Sequence, residues 1–296
     1  MRTVFLGTSE FAVAVLQRLA ASPHRPALVV TRPDRPRGRG RRVAPPPAAV
    51  AARELGIEVL QPPSVNDDDT RAAVAAVRPE AICVCAFGGL IREPLLSDYR
   101  MLNVHPSLLP RWRGAAPVER AIMAGDVDTG VSIMRVVEAL DAGPVCAQRS
   151  EPVHPHDSYG TLAPRLQRIG GELLVEVLDD DPPCAEQDDA HTTYAEKIGP
   201  DDRILHPDRT APENERVVRA LRPHIGARIP RDGREPLRVC AALIRADVDD
   251  VAPGTLAARD GELLYGCAEG ALELLEVQPP GRRRMEAAAF LRGHAL

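Results

Sequence analysis

The sequence predicts an α/β protein: a Rossmann-like, mostly parallel sheet domain followed by a small β-barrel domain. Three observations carry this. Short apolar, β-branched runs alternate with amphipathic helical segments up to about residue 178, the pattern of βαβ units and a parallel sheet. The composition then breaks at Asp179-Asp180-Asp181-Pro182-Pro183. Beyond it, short apolar runs are interrupted by Gly, Pro and Asp, which reads as a small β-barrel. The expected organisation is 1–183 for the sheet domain, 184–202 for an extended linker and 203–296 for the barrel domain.

Taken in order, Thr3 to Gly7 is a first strand. Thr8-Ser9 can cap a helix whose apolar positions Phe11, Val13, Val15, Leu16 and Leu19 keep helical spacing. Ala27 to Thr31 is a second strand. Val50 to Leu55 is helical, ended by Gly56 before a strand from Ile57 to Leu60. Asp67 to Val77 is a helix with acids in its first turn, where they suit the helix dipole. Ala81 to Ala86 and Met101 to His105 are strands. Ala115 to Ala124 is a helix, Gly130 to Val137 and Pro144 to Pro152 are strands, and Ser158 to Leu178 is a long helix. In the last third, Asn214 to Leu221 reads as one short helix. The apolar runs Leu237–Leu243, Gly254–Ala257, Glu262–Cys267 and Ala271–Val277 read as barrel strands.

With 44% apolar residues over 296 positions the chain can build full cores without staples. It has no run of 18 apolar residues, so no spanning helix is expected. Its start turns polar too soon for a secretory signal, so a cytoplasmic location is expected. None of the six cysteines forms Cys-x-x-Cys; no metal site and no disulfide are expected, and Cys83 and Cys85 read as small core residues. The net charge of -5 gives no global signal for nucleic acid, so a polyanion would have to be met by a local patch. Six arginines and one aspartate between Arg32 and Arg42 form such a patch, and its prolines and glycines exclude a regular helix, so it reads as an irregular, mobile basic loop. Lys197 is the one lysine, and the surplus of Ala, Pro, Gly and Arg looks like a GC-rich coding bias, which lowers the weight of any arginine cluster taken alone.

The chemistry concentrates at Asn103-Val104-His105-Pro106-Ser107-Leu108-Leu109-Pro110. Residues i and i+2 of a strand share a face, so Asn103 and His105 emerge side by side at a strand's end, where ligands of open parallel sheets bind. Asp141, in Leu140-Asp141-Ala142-Gly143, lies between two strands, on a hairpin-like loop able to swing it over the site. An amide, an imidazole and a carboxylate are the parts needed to transfer an activated acyl group. Asn can hydrogen-bond a developing oxyanion and His can donate or carry a proton. Asp can accept a proton or stabilise protonated His. A lone His after a strand is ordinarily a packed structural residue; the combined pattern argues otherwise. Gly7-Thr8-Ser9 lacks a full Gly-x-Gly-x-x-Gly, so a dinucleotide site is not expected.

The Asn-x-His…Ser-Leu-Leu-Pro-x-x-Arg-Gly string with the later Leu-Asp-x-Gly resembles the signature of formyltransferases that use 10-formyltetrahydrofolate. Further strings extend the resemblance over nearly the whole chain and make it most similar to the methionyl-tRNA formyltransferase family: Phe5-Leu6-Gly7-Thr8-Ser9, the arginine loop, Thr193-Tyr194-Ala195-Glu196-Lys197-Ile198, and Leu275 to Met285. The resemblance implies an enzyme with a Rossmann-like catalytic domain and an OB-like barrel. It would take 10-formyltetrahydrofolate as donor and methionyl initiator tRNA as acceptor; no metal or membrane is expected from the sequence, and a monomer is the default expectation. It assigns Asn103, His105 and Asp141 to catalysis. Ser107, Leu108, Leu109, Pro110, Phe87, Gly88, Gly89 and Leu90 would line the folate site. Arg35, Arg37, Arg39, Arg41 and Arg42 would meet tRNA phosphates. Two departures touch the site: Pro106 stands where the family often has Gly, and Phe87 where Tyr is common. A sugar-nucleotide formyltransferase or a formyltetrahydrofolate hydrolase would share the Asn-His-Asp core. A non-enzymatic tRNA-binding protein would not need it.

Overall fold

The computed structural model describes residues 1–37, 40 and 42–294. In chain order the elements are β1 (Thr3–Gly7), α1 (Glu10–Ala20), β2 (Pro26–Val30), β3 (Arg35–Arg37), β4 (Arg42–Ala44), α2 (Pro47–Glu54), β5 (Glu58–Leu60), α3 (Asp68–Val77), β6 (Ala81–Cys85), α4 (Leu95–Asp98), β7 (Met101–His105), β8 (Arg113–Gly114), α5 (Pro117–Ala124), β9 (Asp128–Arg135), β10 (Val145–Pro152) and α6 (Tyr159–Asp180). They continue with β11 (Tyr194–Ala195), α7 (Ala211–Leu221), β12 (Ala227–Arg231), β13 (Arg234–Arg245), β14 (Leu256–Arg259), β15 (Glu262–Gly266), β16 (Ala271–Gln278), β17 (Met285–Glu286) and α8 (Ala287–Gly293). The chain forms two compact units. The first holds Met1–Gly114, Asp128–Pro152 and Ala163–Tyr194; the second holds Ala115–Val127, Val153–Leu162 and Ala195–Leu296.

The first unit is built on a seven-stranded sheet in the order β10-β9-β7-β6-β1-β2-β5. The five strands from β7 to β5 pair in parallel, while β9 and β10 add antiparallel strands at one edge. This is the expected Rossmann-like sheet. Its central strands are near-continuous apolar runs because both faces are covered. Alternation sorts the side chains: Val4, Leu6, Ile82 and Val84 pack with Val74 of α3 and with Phe87, Ile91 and Leu95. Val104 of β7 meets α6 at Gly170, where a Cβ would lie 2.7 Å from Val104 Cγ1. Only the missing side chain lets helix and sheet approach this closely. Asp67, read from the sequence as part of this helix, stands just before it and caps it by accepting from the Thr70 backbone N–H.

Two features differ from the sequence reading. Cys146 and Cys184 form a disulfide. Val145 and Ala185 exchange both backbone hydrogen bonds, at 2.8 and 2.9 Å, which sets their neighbours Cys146 and Cys184 opposite one another in a close, non-hydrogen-bonded pair. The spacing of cysteines in the sequence carries no trace of such a long-range pairing. The arginine-rich segment, read as irregular, has its flanks paired as an antiparallel ribbon, Arg35 opposite Ala44 and Arg37 opposite Arg42. Proline blocks a helix but is tolerated in an edge ribbon, where its missing N–H is not needed. Cys83 and Cys85 are core residues, fully buried, and burial pushes the Cys83 thiol up to about 12.

The second unit carries an antiparallel sheet in the order β12-β13-β16-β15-β14, with β17 added on β16. Its core gathers Leu205, Val217, Leu221, Ile229, Leu237, Val239, Leu263, Tyr265, Leu272, Leu274, Val277 and Phe290. Helix α7 starts with a full capping box between Thr210 and Glu213. Asp260 and Gly261, both with positive φ, turn β14 into β15, the tight hairpin that Asp-Gly favours. Among the described residues no helix is long and apolar enough to cross a membrane.

Candidate active site

Asn103 and His105 stand on one face of β7, and in the β7–β9 register His105 lies opposite Ser132. His105 is 4% exposed. Asp141 comes from the connection between β9 and β10. That connection leaves β9 beside the start of β7, with the Val136 N–H donating to the Met101 carbonyl at 3.1 Å, and folds back along the strand. The structure therefore brings all three candidates together. Asn103 Nδ2 lies 3.5 Å from Asp141 Oδ1, and His105 Nδ1 lies 3.6 Å from Asp141 Oδ2. Both separations are at or beyond the limit of a hydrogen bond, so the groups face each other without being locked. Asp141 Oδ2 also accepts from the Gly114 N–H at 2.8 Å.

The orientation of the imidazole follows from one contact. His105 Nε2 lies 2.8 Å from the Trp112 carbonyl oxygen. A carbonyl only accepts, so Nε2 carries a hydrogen. That leaves Nδ1, the nitrogen nearer Asp141, as the position where a proton is gained or lost. Trp112 is itself held at positive φ, with its N–H donating to Thr193 Oγ1 at 2.9 Å.

The Ser107–Pro110 segment is tied into the sheet. The Leu109 N–H donates to Ser132 Oγ at 3.1 Å, and Ser132 Oγ donates to the Ser107 carbonyl at 2.6 Å. Gln148 Nε2 donates to the Leu109 carbonyl at 2.8 Å and to Ser132 Oγ at 2.9 Å. Ser107 and Leu109 are buried; Leu108 and Pro110 are partly exposed. Of the second candidate wall, Phe87 is a core residue whose carbonyl accepts from Thr8 Oγ1 at 2.7 Å. Gly88 is exposed, Gly89 is half-buried and Leu90 is 61% exposed. Arg35 and Arg42 are exposed on the ribbon, which also holds Arg37. Arg39 and Arg41 lie outside the described residues. Among the described residues no group of three or more His, Cys, Asp and Glu could hold a metal ion.

Ser132, Gln148, Arg113 and Gln187 surround these candidates and are not named by the sequence reading. Ser132, Gln148 and Gln187 act on the backbone of distant segments and Arg113 on the distant Gln187 and Asp189 side chains, which leaves no periodicity to find. Arg113 alone carried a hint, as part of the Pro-x-x-Arg-Gly string.

Comparison with known proteins identifies the family of the chain. The family described as "Formyl transferase" matches residues 1–178, and "Formyl transferase, C-terminal domain" matches residues 197–295. The methionyl-tRNA formyltransferase of Methylococcus capsulatus is 44% identical over 302 residues, covering 100% of this chain and 98% of its own length. That of Rubrobacter xylanophilus is 46% identical over 304 residues, with the same coverage of 100% and 98%. The chain belongs to the formyl transferase family and, within it, to the methionyl-tRNA formyltransferases. Among solved structures, a methionyl-tRNA formyltransferase from Clostridium thermocellum superposes with a TM-score of 0.61 at 16% identity, covering 83% of this chain and 94% of that one. An N-formyltransferase from Helicobacter canadensis, in complex with folinic acid and dTDP-3-aminofucose, gives 0.65 at 13% identity, covering 92% and 98%. At these identities the structures show the shared fold alone.

Proposed function

We propose that this enzyme transfers the formyl group of 10-formyltetrahydrofolate to the free amine of methionyl initiator tRNA. The observation that carries the reading is the convergence of Asn103, His105 and Asp141 on one face of β7. The amine nitrogen attacks the formyl carbon and forms the new C–N bond, giving a tetrahedral oxyanion. Collapse breaks the bond to folate N10. The nitrogen of the amine loses a proton and N10 gains one. The Asn103 amide donates to the oxyanion, a role whose loss typically costs roughly 100- to 1000-fold in rate. His105, with Nε2 engaged by Trp112, works through Nδ1. Asp141 takes the proton from the ammonium or balances the imidazolium.

In this reading residues 1–183 carry the folate chemistry, 184–202 link the domains and 203–296 help hold the tRNA. Leu108, Pro110, Gly88, Gly89 and Leu90 supply accessible folate contacts, while Ser107, Leu109 and Phe87 shape the wall from beneath. Arg35, Arg37, Arg39, Arg41 and Arg42 meet phosphates, the contact class that fixes position without reading bases. The location proposed is the cytoplasm. The deciding experiment supplies purified protein with 10-formyltetrahydrofolate and, in parallel, charged initiator tRNA or amino-sugar nucleotides. Formylation of the tRNA alone is the expected result; formylation of the sugar nucleotide, or release of formate without an acceptor, would replace the reading.

A further inference from the structure

Asp141 sits at φ +51°, in the left-handed region that disfavours residues with a side chain. The turn that presents it therefore needs support, and Gly114 supports only the carboxylate. The backbone support comes from a segment far along the chain. Gln187 Nε2 donates to the Asp141 carbonyl at 2.8 Å and to the Gly143 carbonyl at 2.7 Å. Gln187 Oε1 accepts from Arg113 Nε at 3.0 Å. Arg113 is 5% exposed, and its other end donates to Asp189 Oδ1 at 2.8 Å.

This set of contacts admits one orientation of the amide. Arg113 has only donors, so the Gln187 oxygen faces it and both amide hydrogens face the two carbonyls. A glutamate there would set a carboxylate against two carbonyl oxygens, and an apolar isostere would leave both carbonyls without a donor. Next to these contacts the turn runs close against β9: at Gly143 a Cβ would lie 2.0 Å from the Arg135 carbonyl oxygen. Arg113 fixes the clamp, and Gly114, the next residue, donates to the Asp141 carboxylate. One dipeptide thus ties the acid's side chain and its backbone support to a common frame.

We propose that Gln187 is a positioning residue for formyl transfer, holding the Asp141 turn so that the carboxylate stays in register with Asn103 and His105. The proposal rests on the reading of Asp141 as catalytic. Its consequence is kinetic, because a small misplacement of a reacting group lowers the rate by as much as about 100-fold without removing substrate contacts.

The test uses the full-length protein with Gln187→Met, Gln187→Glu and, as reference, Asp141→Asn, each assayed for formylation of methionyl-tRNA and for its thermal midpoint. Both Gln187 variants are expected to lower kcat about 10- to 100-fold, with KM for each substrate within about threefold of wild type and cooperative unfolding retained. Should Gln187→Glu fail to fold, Gln187→Met carries the test. Wild-type kcat in Gln187→Met beside an inactive Asp141→Asn overturns the positioning role alone. A fall in kcat matched by a rise in both KM values also overturns it, since that is the mark of general disruption. Wild-type turnover in Asp141→Asn overturns the catalytic reading on which the proposal stands.

Discussion

Two connections meet at Asn103 and His105, and they are held in opposite ways. The 106–110 loop is fastened at its backbone groups: Ser107 N–H to the His105 carbonyl at 2.9 Å, Arg111 N–H to the Leu108 carbonyl at 3.1 Å, and the Leu109 N–H and Ser107 carbonyl to Ser132. Ser132 is fully buried and spends its one hydrogen and both lone pairs on this work. The 136–144 turn is mostly open, with Val137 39% and Leu140 67% exposed. Gln187 and Gly114 pin it at Asp141. The first connection is part of the core; the second is a presented side chain. Damage to the first is expected to appear as lost stability and damage to the second as lost turnover.

The largest effect that sharpens this contrast belongs to the chemistry itself. Asp141→Asn or His105→Gln should reduce kcat by about 100- to 10,000-fold, the range of general acid–base groups, with a melting curve close to wild type. Loss of folding in Asp141→Asn would show that the open turn is structural after all. Next comes Asn103→Ala, expected to lower kcat by roughly 100- to 1000-fold with little change in KM. A raised KM at unchanged kcat would remove Asn103 from the oxyanion. Ser132→Ala should act the other way. It strips partners from the Leu109 N–H and the Ser107 carbonyl, a loss of roughly 1–3 kcal/mol by urea unfolding, while the folded fraction keeps a kcat within a few-fold of wild type. Full stability with collapsed turnover would erase the distinction between the loops. The smallest effect lies outside both. Arg42→Ala should raise the tRNA KM and flatten its salt dependence by about one phosphate contact; an unchanged slope would leave the ribbon's charge without a ligand.

The sequence exposed the chemistry better than its support. The strands β6 and β7 stand out as apolar runs, and Asn103 and His105 follow from a two-residue period. Asp141 was legible as an acid between two strands, and those strands do pair. Ser132 and Gln187 were not legible. Their partners lie 25 residues away at Ser107 and 46 residues away at Asp141, and a polar side chain bonded to distant backbone imprints no pattern on its neighbours. The same reason hid the Cys146–Cys184 bond. In the second unit, the run Leu237–Leu243 was found within the longer β13, while β12 was missed. Its five residues place only Ala227 and Ile229 inward between exposed arginine and proline, too short an alternation to separate from a loop. Helix α8 was missed for want of length, with only Ala287 and Phe290 buried.

Trp112 gives the site a property of a different kind. It is the chain's one tryptophan, its carbonyl holds His105 at 2.8 Å, and the Arg111 guanidinium lies 4.6 Å from its ring centroid. Every photon of indole emission from this protein therefore originates from the residue whose carbonyl engages His105. The intensity and wavelength of that emission respond to the nearby guanidinium and to the ring's exposure to water. Donor binding, acceptor binding and rearrangement of the 111–114 backbone can each be followed in the unlabelled native chain, as stopped-flow traces with no contribution from a second fluorophore of the same type.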